Sequence, residues 1–383
     1  MNGVQRSVVL CIALRFLSGG PAAALSDEGS SSDVRLALPP AAYAVAGAEI
    51  SVYFDNIVLT PQPSDVRFVV SCRIGRTEVN RWTATPTESD VGDHLWSVEV
   101  FRGDQAIAKG TMTWHVSSAS AGKQRRFRLL LVGDSLTHAT VYANDLARRL
   151  SAPDQPEWTM LGTHRPPAAS PGVAHEGYGG WTWERFVRHY DPMPDPRQRR
   201  YSSPFVSLVD GRPQLDIARY VRESCGGHSP DCVLFLLGIN DCFAANPDDP
   251  IALEAHIDRV FGHAETLLKA FRAAVPEAQL GVCLTPPPNA RESGFEASYQ
   301  GRYHRWGWKR IQHRLVEREL QQFSHRERDR IYVVPTQLNL DPVLGYPVDN
   351  GVHPNELGYQ QLAASLHAWL LARLQATDAS ATN

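Results

Sequence analysis

The stretch Arg-Leu-Leu-Leu-Val-Gly-Asp-Ser-Leu-Thr, residues 128–137, decides the fold of the larger part of the chain. Its apolar run predicts a strand that is buried on both faces. The run ends at Gly133, and Ser135 follows in the turn. In an open α/β sheet, ligands and catalytic groups gather at the carboxyl ends of the strands. Ser135 is therefore a candidate functional residue, although a serine in such a turn also commonly caps a helix.

Downstream of this stretch, apolar strands alternate with longer amphipathic segments. We predict strands at Arg128–Val132, Cys232–Leu237, Gln279–Leu284 and Arg330–Val334. We predict helices at Ile251–Ala274, Trp306–Phe323 and Asn355–Leu374. This alternation is typical of a parallel sheet that is covered by helices on both faces.

Upstream, short alternating runs are separated by Pro, Gly and Asp, which predicts a small antiparallel sandwich. We therefore expect a β-sandwich domain at 33–118, a small and polar linker at 119–126, and an α/β domain at 127–377. The sandwich tryptophans alternate as core residues do, so we expect this domain to support the α/β domain rather than to bind carbohydrate. They are Trp82, Trp96 and Trp114.

The first 25 residues have the three parts of a secretory signal peptide: positive Arg6, the mostly apolar Ser7–Leu17, and the small residues Ala22–Ala24. An ordinary buried helix is the alternative. No later stretch approaches the roughly 20 apolar residues that a transmembrane helix needs. We therefore expect a signal peptide at 1–25 and a secreted or periplasmic protein without stable membrane insertion.

The 383 residues are 43% hydrophobic and 21% charged, which indicates a globular chain with at least one substantial core. A formal net charge of -3 gives no strong field, so we expect no nucleic-acid partner. In an oxidising compartment Cys225 and Cys232 are the easiest disulfide pair. No cysteine pair has zinc-ligand spacing with a histidine, and we expect neither a metal nor a cofactor.

Ser135 needs a base, because serine is a weak nucleophile unless another group accepts its proton. His353 is a candidate, since it lies between the last predicted strand and the last predicted helix. The amide of Asn240, at the end of the strand at 232–237, can donate a hydrogen bond to an oxyanion. Gly180 would let a backbone N–H approach the same oxyanion. Taken alone, each residue also has an ordinary structural explanation. His353 fits a surface histidine, Asn240 an Asx turn and Gly180 a plain glycine loop.

Taken together and in this order, these segments resemble the sequence blocks of the SGNH (GDSL-like) hydrolase family over about residues 128–374. The resemblance implies a carboxylic ester hydrolase with a three-layer α/β/α flavodoxin-like domain and a parallel sheet, here preceded by a small all-β sandwich. It implies that Ser135 is the nucleophile and His353 its base. It also implies an oxyanion hole formed by Ser135, Gly180 and Asn240.

The chain departs from the family at the acid that orients the histidine. That acid usually lies three residues before the histidine, where this chain has Asn350, whereas Asp349 lies four before. We expect Asp349 to orient His353 through a one-residue bulge in the loop. The alternative is a dyad in which a main-chain carbonyl or Asn350 holds the ring.

Aromatic residues close to the proposed site suit the flat faces of sugar rings, so we expect Tyr178, Trp181 and Trp183 to bind substrate. More aromatic residues follow at Tyr299, Tyr303, Trp306 and Trp308. The loop at 285–300 is polar and proline-rich, unlike the apolar surface of a lipase that acts on aggregated lipid. We expect an acetylesterase that acts on carbohydrate or another small ester. The alternatives are a lipase- or lysophospholipase-type esterase and a non-catalytic carbohydrate-binding protein on a hydrolase scaffold.

Overall fold

The computed structural model describes residues 34–198 and 201–381. The predicted signal peptide at 1–25 lies outside the described residues. Val34–Asn383 forms one compact unit that includes both predicted domains. The domain boundaries stay predictions, because the two architectures are joined within this unit.

The N-terminal part is a β-sandwich. Its strands are β1 Arg35–Leu36, β2 Ala41–Val45, β3 Ile50–Tyr53, β4 Val58–Leu59, β5 Arg67–Ser71, β6 Arg76–Thr77, β7 Arg81–Ala84, β8 Gly92–Arg102 and β9 Gln105–Ser117, with helix α1 at Phe54–Ile57. One sheet has the order β2-β9-β8-β5 and the other β3-β7-β6, while β1 pairs with β4. Trp82 from the second sheet packs on Trp96 and Trp114 from the first, and all three are buried. The predicted sandwich is confirmed, with β2–β9 as a parallel pair inside it.

The larger part of the chain alternates strands and helices. Its strands are β10 Arg126–Gly133, β11 Glu157–Leu161, β12 Glu176–Gly177, β13 Val206–Val209, β14 Arg212–Leu215, β15 Cys232–Leu236, β16 Gln279–Cys283 and β17 Ile331–Val334. Its helices are α2 Ser135–His138, α3 Val141–Leu150, α4 Trp183–Arg188, α5 Ile217–Ser224, α6 Ile239–Cys242, α7 Pro250–Ala274, α8 Glu292–Tyr299, α9 Arg305–Phe323 and α10 Glu356–Ala381. Across both parts of the chain, single 3-10 turns lie at Pro63–Asp65, Glu88–Asp90, Pro196–Gln198 and Glu327–Asp329.

The central sheet has the order β11-β10-β15-β16-β17, and every pair in it is parallel. This is the doubly wound order in which the first strand lies between the second and the third. Helix α3 packs on α10, and α7 packs on α4, α5 and α9. The predicted three-layer α/β/α fold with a parallel sheet is therefore confirmed. The short strand β12 extends the sheet beside the carboxyl end of β10.

The sandwich holds the segment that leads from β17 toward α10. The buried side chain of Asn56 donates to the carbonyl oxygens of Gln337 and Leu340, both at 2.7 Å. The backbone N–H of Ser51 donates to Asn339 Oδ1 at 2.8 Å. Because residue 353 lies further along the same connection, these contacts tie the sandwich to the loop that carries His353.

The structure does not contain the expected disulfide between Cys225 and Cys232, since both are free thiols. Cys225 follows the end of α5, whereas Cys232 is held in register as the first residue of β15. Burial raises the pKa of the Cys225 thiol to about 11. Among the described helices, none combines the length and the hydropathy that a membrane-spanning helix requires.

Candidate active site

The hydroxyl of Ser135 is not used as a helix cap. Asp134 occupies the N-cap position of α2, and its carboxylate accepts a hydrogen bond from the backbone N–H of Leu136 at 2.9 Å. Ser135 is the first residue of the helix. Its Oγ is therefore available for other contacts at the carboxyl end of β10.

Close packing brings three chain segments together around α2. Gly133 pairs with Gly177 of β12 on one side and with Leu236 of β15 on the other. A Cβ at Gly133 would lie 1.9 Å from Thr137 Oγ1, and one at Gly177 would lie 2.5 Å from Thr137 Cγ2. Only glycine fits at these two positions, so the segments after β10, β12 and β15 meet at one edge of the sheet.

The structure brings Ser135 and His353 together: Ser135 Oγ lies 2.9 Å from His353 Nε2, and both residues are half-buried. Burial lowers the pKa of His353 below its usual value. The imidazole is therefore neutral at pH 7 and can accept the proton of the serine on Nε2. This is the arrangement of an activated nucleophile and its base.

The other ring nitrogen of His353 faces Asn350 and not Asp349. Asn350 Oδ1 lies 3.3 Å from His353 Nδ1 and also accepts hydrogen bonds from the backbone N–H groups of Val352, at 3.1 Å, and His353, at 2.9 Å. The side chain of Asp349 is exposed, and its backbone carbonyl accepts from Ser298 Oγ at 2.9 Å. The residue that contacts Nδ1 is thus the one three positions before His353, which is the usual spacing. No bulge in the loop turns the side chain of Asp349 toward the ring.

A buried asparagine that the sequence did not reveal holds this loop. Asn289 Nδ2 donates to the carbonyl oxygens of Pro347 and Asn350, both at 2.9 Å, and its backbone N–H donates to that of Gly351 at 2.9 Å. A Cβ at Gly294 of α8 would lie 2.9 Å from the carbonyl oxygen of Asn350. Asn289 is a positioning residue for His353. Its only signal in the sequence is its place in the polar loop after β16.

Asn240 and Gly180 lie at the ends of neighbouring segments. Asn240 is the second residue of α6, and its Nδ2 donates to the carbonyl oxygen of Trp181 at 3.0 Å. That bond uses one of the two N–H groups of the amide, which leaves the other for an oxyanion. Gly180 is exposed with φ +77°, and no neighbouring atom lies within 4 Å of a Cβ placed there. Substrate can therefore approach the backbone at Gly180.

The three aromatic residues that were expected to bind substrate are packed in the core. Tyr178, Trp181 and Trp183 are each at most 4% exposed. The Tyr178 hydroxyl contacts Glu176 Oε2 at 2.5 Å, and the ring of Trp183 stacks on Phe235 with centroids 5.6 Å apart. The structure therefore does not present these rings to a sugar. Their packing in the core supports the segment that carries Gly180.

Carboxyl groups are buried beneath the site. Burial raises the pKa of Asp134 to about 7, that of Asp241 to about 7 and that of Glu319 to about 8. Glu319 accepts from the backbone N–H of Thr285 at 2.9 Å and fixes the start of the loop after β16. Because burial raises these pKa values, the three groups carry less negative charge near neutral pH than exposed carboxylates would.

Comparisons with known proteins identify the family of the chain. The family model for GDSL-like lipase/acylhydrolase matches residues 129–366. No curated protein matches the chain. An aryl esterase from M. smegmatis is similar at 17% identity over 64% of this chain and 98% of its own, with a TM-score of 0.35. A carbohydrate acetylesterase from Sinorhizobium meliloti is similar at 16% identity over 64% of this chain and 99% of its own, with a TM-score of 0.35.

The family match covers more than half of the chain and includes the strand that ends at Gly133, the segment of Gly180, the turn of Asn240 and the loop of His353. The chain belongs to the GDSL-like lipase/acylhydrolase family.

Proposed function

We propose that this protein is a serine esterase that removes acetyl groups from carbohydrate through an acyl-enzyme on Ser135. The observation that carries the proposal is the 2.9 Å contact between Ser135 Oγ and His353 Nε2. A hydroxyl held against a neutral imidazole at a strand end is the pair that acyl transfer requires. Family membership supports an ester hydrolase or acylhydrolase, while acetyl and carbohydrate specificity are our proposal.

In the first step Ser135 Oγ attacks the ester carbonyl while His353 Nε2 takes the hydroxyl proton. The negative oxygen of the tetrahedral intermediate accepts hydrogen bonds from the backbone N–H groups of Ser135 and Gly180 and from Asn240 Nδ2. The C–O bond to the sugar then breaks, and His353 returns the proton to the leaving alcohol. A water then gives a proton to His353 Nε2 and attacks the carbonyl carbon of the acetyl-enzyme. The bond between that carbon and Ser135 Oγ breaks, His353 returns the proton to Oγ, and acetate leaves.

We propose that Asn350, rather than Asp349, orients His353 in these steps. Asn350 Oδ1 accepts from Nδ1–H and so selects the tautomer that leaves Nε2 free for the serine proton. A neutral amide stabilises the imidazolium less than a carboxylate does, because hydrogen bonds between charged partners are stronger. The enzyme therefore works as a Ser–His dyad that an amide orients.

Two features of the surface bear on the substrate. The half-buried rings of Tyr303 and Trp306 favour a carbohydrate, whereas the loop after β16 is buried from Thr285 to Asn289 and presents no surface to a substrate there. A second candidate, a lipase-type esterase, is favoured by Leu344 and Val348 on the loop that carries His353, which are 62% and 64% exposed. We keep the carbohydrate ester as the proposal, because scattered exposed apolar residues are common on soluble proteins.

A substrate panel tests the proposal. Acetate release from acetylated polysaccharides is measured beside hydrolysis of p-nitrophenyl acetate, p-nitrophenyl palmitate and phosphatidylcholine vesicles, with Ser135→Ala as the matched control. We expect Ser135-dependent release of acetate and little activity on the long-chain esters. Preference for palmitate or vesicles would replace the proposal with the lipase-type function.

We also propose export, on the sequence of residues 1–25 alone. Expression of the full chain followed by N-terminal sequencing of the extracellular or periplasmic product is the test. Recovery of uncleaved protein from the cytoplasm alone would contradict export.

A further inference from the structure

A cavity of about 450 Å³ lies beside the segment that carries Asn240. One wall is the chain at 245–248, just after α6, and the other is the turn before α9 together with the first turns of that helix. Its volume falls within the roughly 300–1,000 Å³ that small-molecule sites occupy. None of the steps described above uses it.

Two half-buried rings line this cavity, those of Tyr303 and Trp306. Arg310 joins the two walls, since its Nη1 donates to the carbonyl oxygen of Pro247 at 3.0 Å and its Nη2 contacts Asp248 Oδ1 at 2.8 Å. A Cβ at Gly307 would lie only 3.2 Å from the Pro247 ring, so glycine permits this close approach. The walls are thus fixed to each other before any ligand binds.

Packed aromatic rings connect the cavity to both sides of the active site. The Tyr303 hydroxyl donates to the carbonyl oxygen of Phe243, which directly follows α6, at 2.6 Å. In the other direction, Tyr299 lies 5.3 Å from Tyr303 and 5.8 Å from Phe295 between ring centroids. The Phe295 ring in turn lies 3.0 Å from a Cβ placed at Gly351, in the loop of His353. Packing contacts therefore link the cavity to the segments that carry Asn240 and His353.

The chain itself sets the distance scale. The turns after α6 stay tight, because the N–H of Phe243 donates to the carbonyl oxygen of Asn240 and the N–H of Ala245 to that of Cys242. At a rise of 1.5 Å per residue, the five residues from Asn240 to Ala245 span about 8 Å. The wall of the cavity therefore begins about 8 Å along the chain from Asn240, the proposed oxyanion donor.

The charge at the mouth of the cavity is positive. The exposed guanidinium of Arg302 lies 5.1 Å from the centroid of the Tyr303 ring, and within residues 34–198 and 201–381 no carboxylate is within ion-pair distance of it. Arg310 is balanced by Asp248, and His304 Nδ1 lies 3.4 Å from Glu292. Arg302 is thus the cation that remains for a ligand.

We propose that this cavity is a subsite for a uronic acid unit of an acetylated polysaccharide chain. Trp306 and Tyr303 receive the apolar faces of a sugar ring, and Arg302 binds its carboxylate. The inference rests on the proposed function, because it assumes that the ester lies on a carbohydrate. It adds the class of polymer and the residues that select it.

The test compares KM on O-acetylated homogalacturonan, on neutral O-acetylated glucomannan and on p-nitrophenyl acetate. We expect Trp306→Ala to raise KM on homogalacturonan about three- to tenfold, the effect of losing one stacked ring, and Trp306→Phe to restore most of it. We expect Arg302→Gln to raise KM on homogalacturonan by about fivefold and to leave KM on glucomannan unchanged. High salt should abolish the effect on homogalacturonan, because it screens the charge of an exposed guanidinium.

The matched control is Arg222→Gln, which removes an exposed guanidinium from α5. We expect it to change none of the three values, and we expect every variant to keep wild-type activity on p-nitrophenyl acetate. The subsite would be overturned if the Trp306 and Arg302 variants lost as much activity on p-nitrophenyl acetate as on homogalacturonan. It would also be overturned if the enzyme preferred glucomannan and Arg302→Gln did not alter that preference. If both polymers release acetate and no variant changes that release, the subsite alone is rejected. Ser135-dependent hydrolysis of p-nitrophenyl acetate without acetate release from either polymer would reject the carbohydrate substrate and the subsite with it.

Discussion

The substitution Asn350→Asp tests how His353 is oriented. It replaces an amide by a carboxylate of nearly the same shape, in contact with His353 Nδ1 at 3.3 Å. The carboxylate can still accept the backbone N–H groups of Val352 and His353, so the loop keeps its hydrogen bonds. What changes is the charge beside the ring.

The magnitude follows from the difference between the two kinds of hydrogen bond. A neutral bond contributes about 0.5–1.5 kcal/mol and a bond to a charged group about 1.5–3 kcal/mol. A gain of about 1–1.5 kcal/mol in the imidazolium form corresponds to a rise of about five- to thirteenfold in kcat/KM. It also raises the pKa of His353 by about one unit, because one unit equals about 1.4 kcal/mol.

The assay is kcat/KM on p-nitrophenyl acetate from pH 5 to pH 9. Burial lowers the pKa of His353, so the base becomes protonated, and wild-type activity falls, at a lower pH than an exposed histidine would give. With Asn350→Asp we expect a higher plateau and an acidic limb shifted upward by about one unit. Asp349→Asn is the matched control, and we expect less than a twofold change because that side chain is exposed. A strong loss with Asp349→Asn, or a folded Asn350→Asp variant with an unshifted profile, would refute this reasoning.

Further outcomes follow from the same geometry. Ser135→Ala should lower kcat by more than about 10⁴ without changing Tm, because it deletes the attacking oxygen and little volume; residual activity above a tenth would contradict it. Asn240→Ala should lower kcat by about 10²–10³ with KM little changed, and an effect on KM alone would make Asn240 a binding residue. Asn56→Ala should lower the free energy of unfolding by about 2–3 kcal/mol, because it leaves buried carbonyl oxygens without a donor, and urea unfolding that matches wild type would contradict this.

The sequence predicted the central strands well because each is a continuous apolar run. The predicted Cys232–Leu237 and Gln279–Leu284 each differ from the observed strand by one residue. The edge strand Glu157–Leu161 escaped prediction because only its last two residues are buried, so it has no such run. Edge strands need burial on one side only, and their sequences carry a weaker signal.

Residues near the site were harder to assign when their roles depend on contacts between distant segments. Tyr178 and Trp183 are close to Gly180 in sequence, yet they point into the core, and sequence proximity does not determine side-chain direction. Asn289 contacts a loop about sixty residues away, so no local pattern could reveal it. For Asp349 and Asn350, a shift of one residue turns a side chain toward the ring or toward solvent.

Covalent labelling of the nucleophile tests the central claim most directly. Diethyl p-nitrophenyl phosphate is incubated with the full chain, with Ser135→Ala and with His353→Ala, and peptides are mapped by mass spectrometry. Activation of Ser135 by His353 predicts one diethylphosphoryl group, on the peptide that contains Ser135, with complete loss of esterase activity. We expect no label with Ser135→Ala and much slower labelling with His353→Ala. A label on another residue that accompanies loss of activity, or full esterase activity after Ser135 is labelled, would contradict the account.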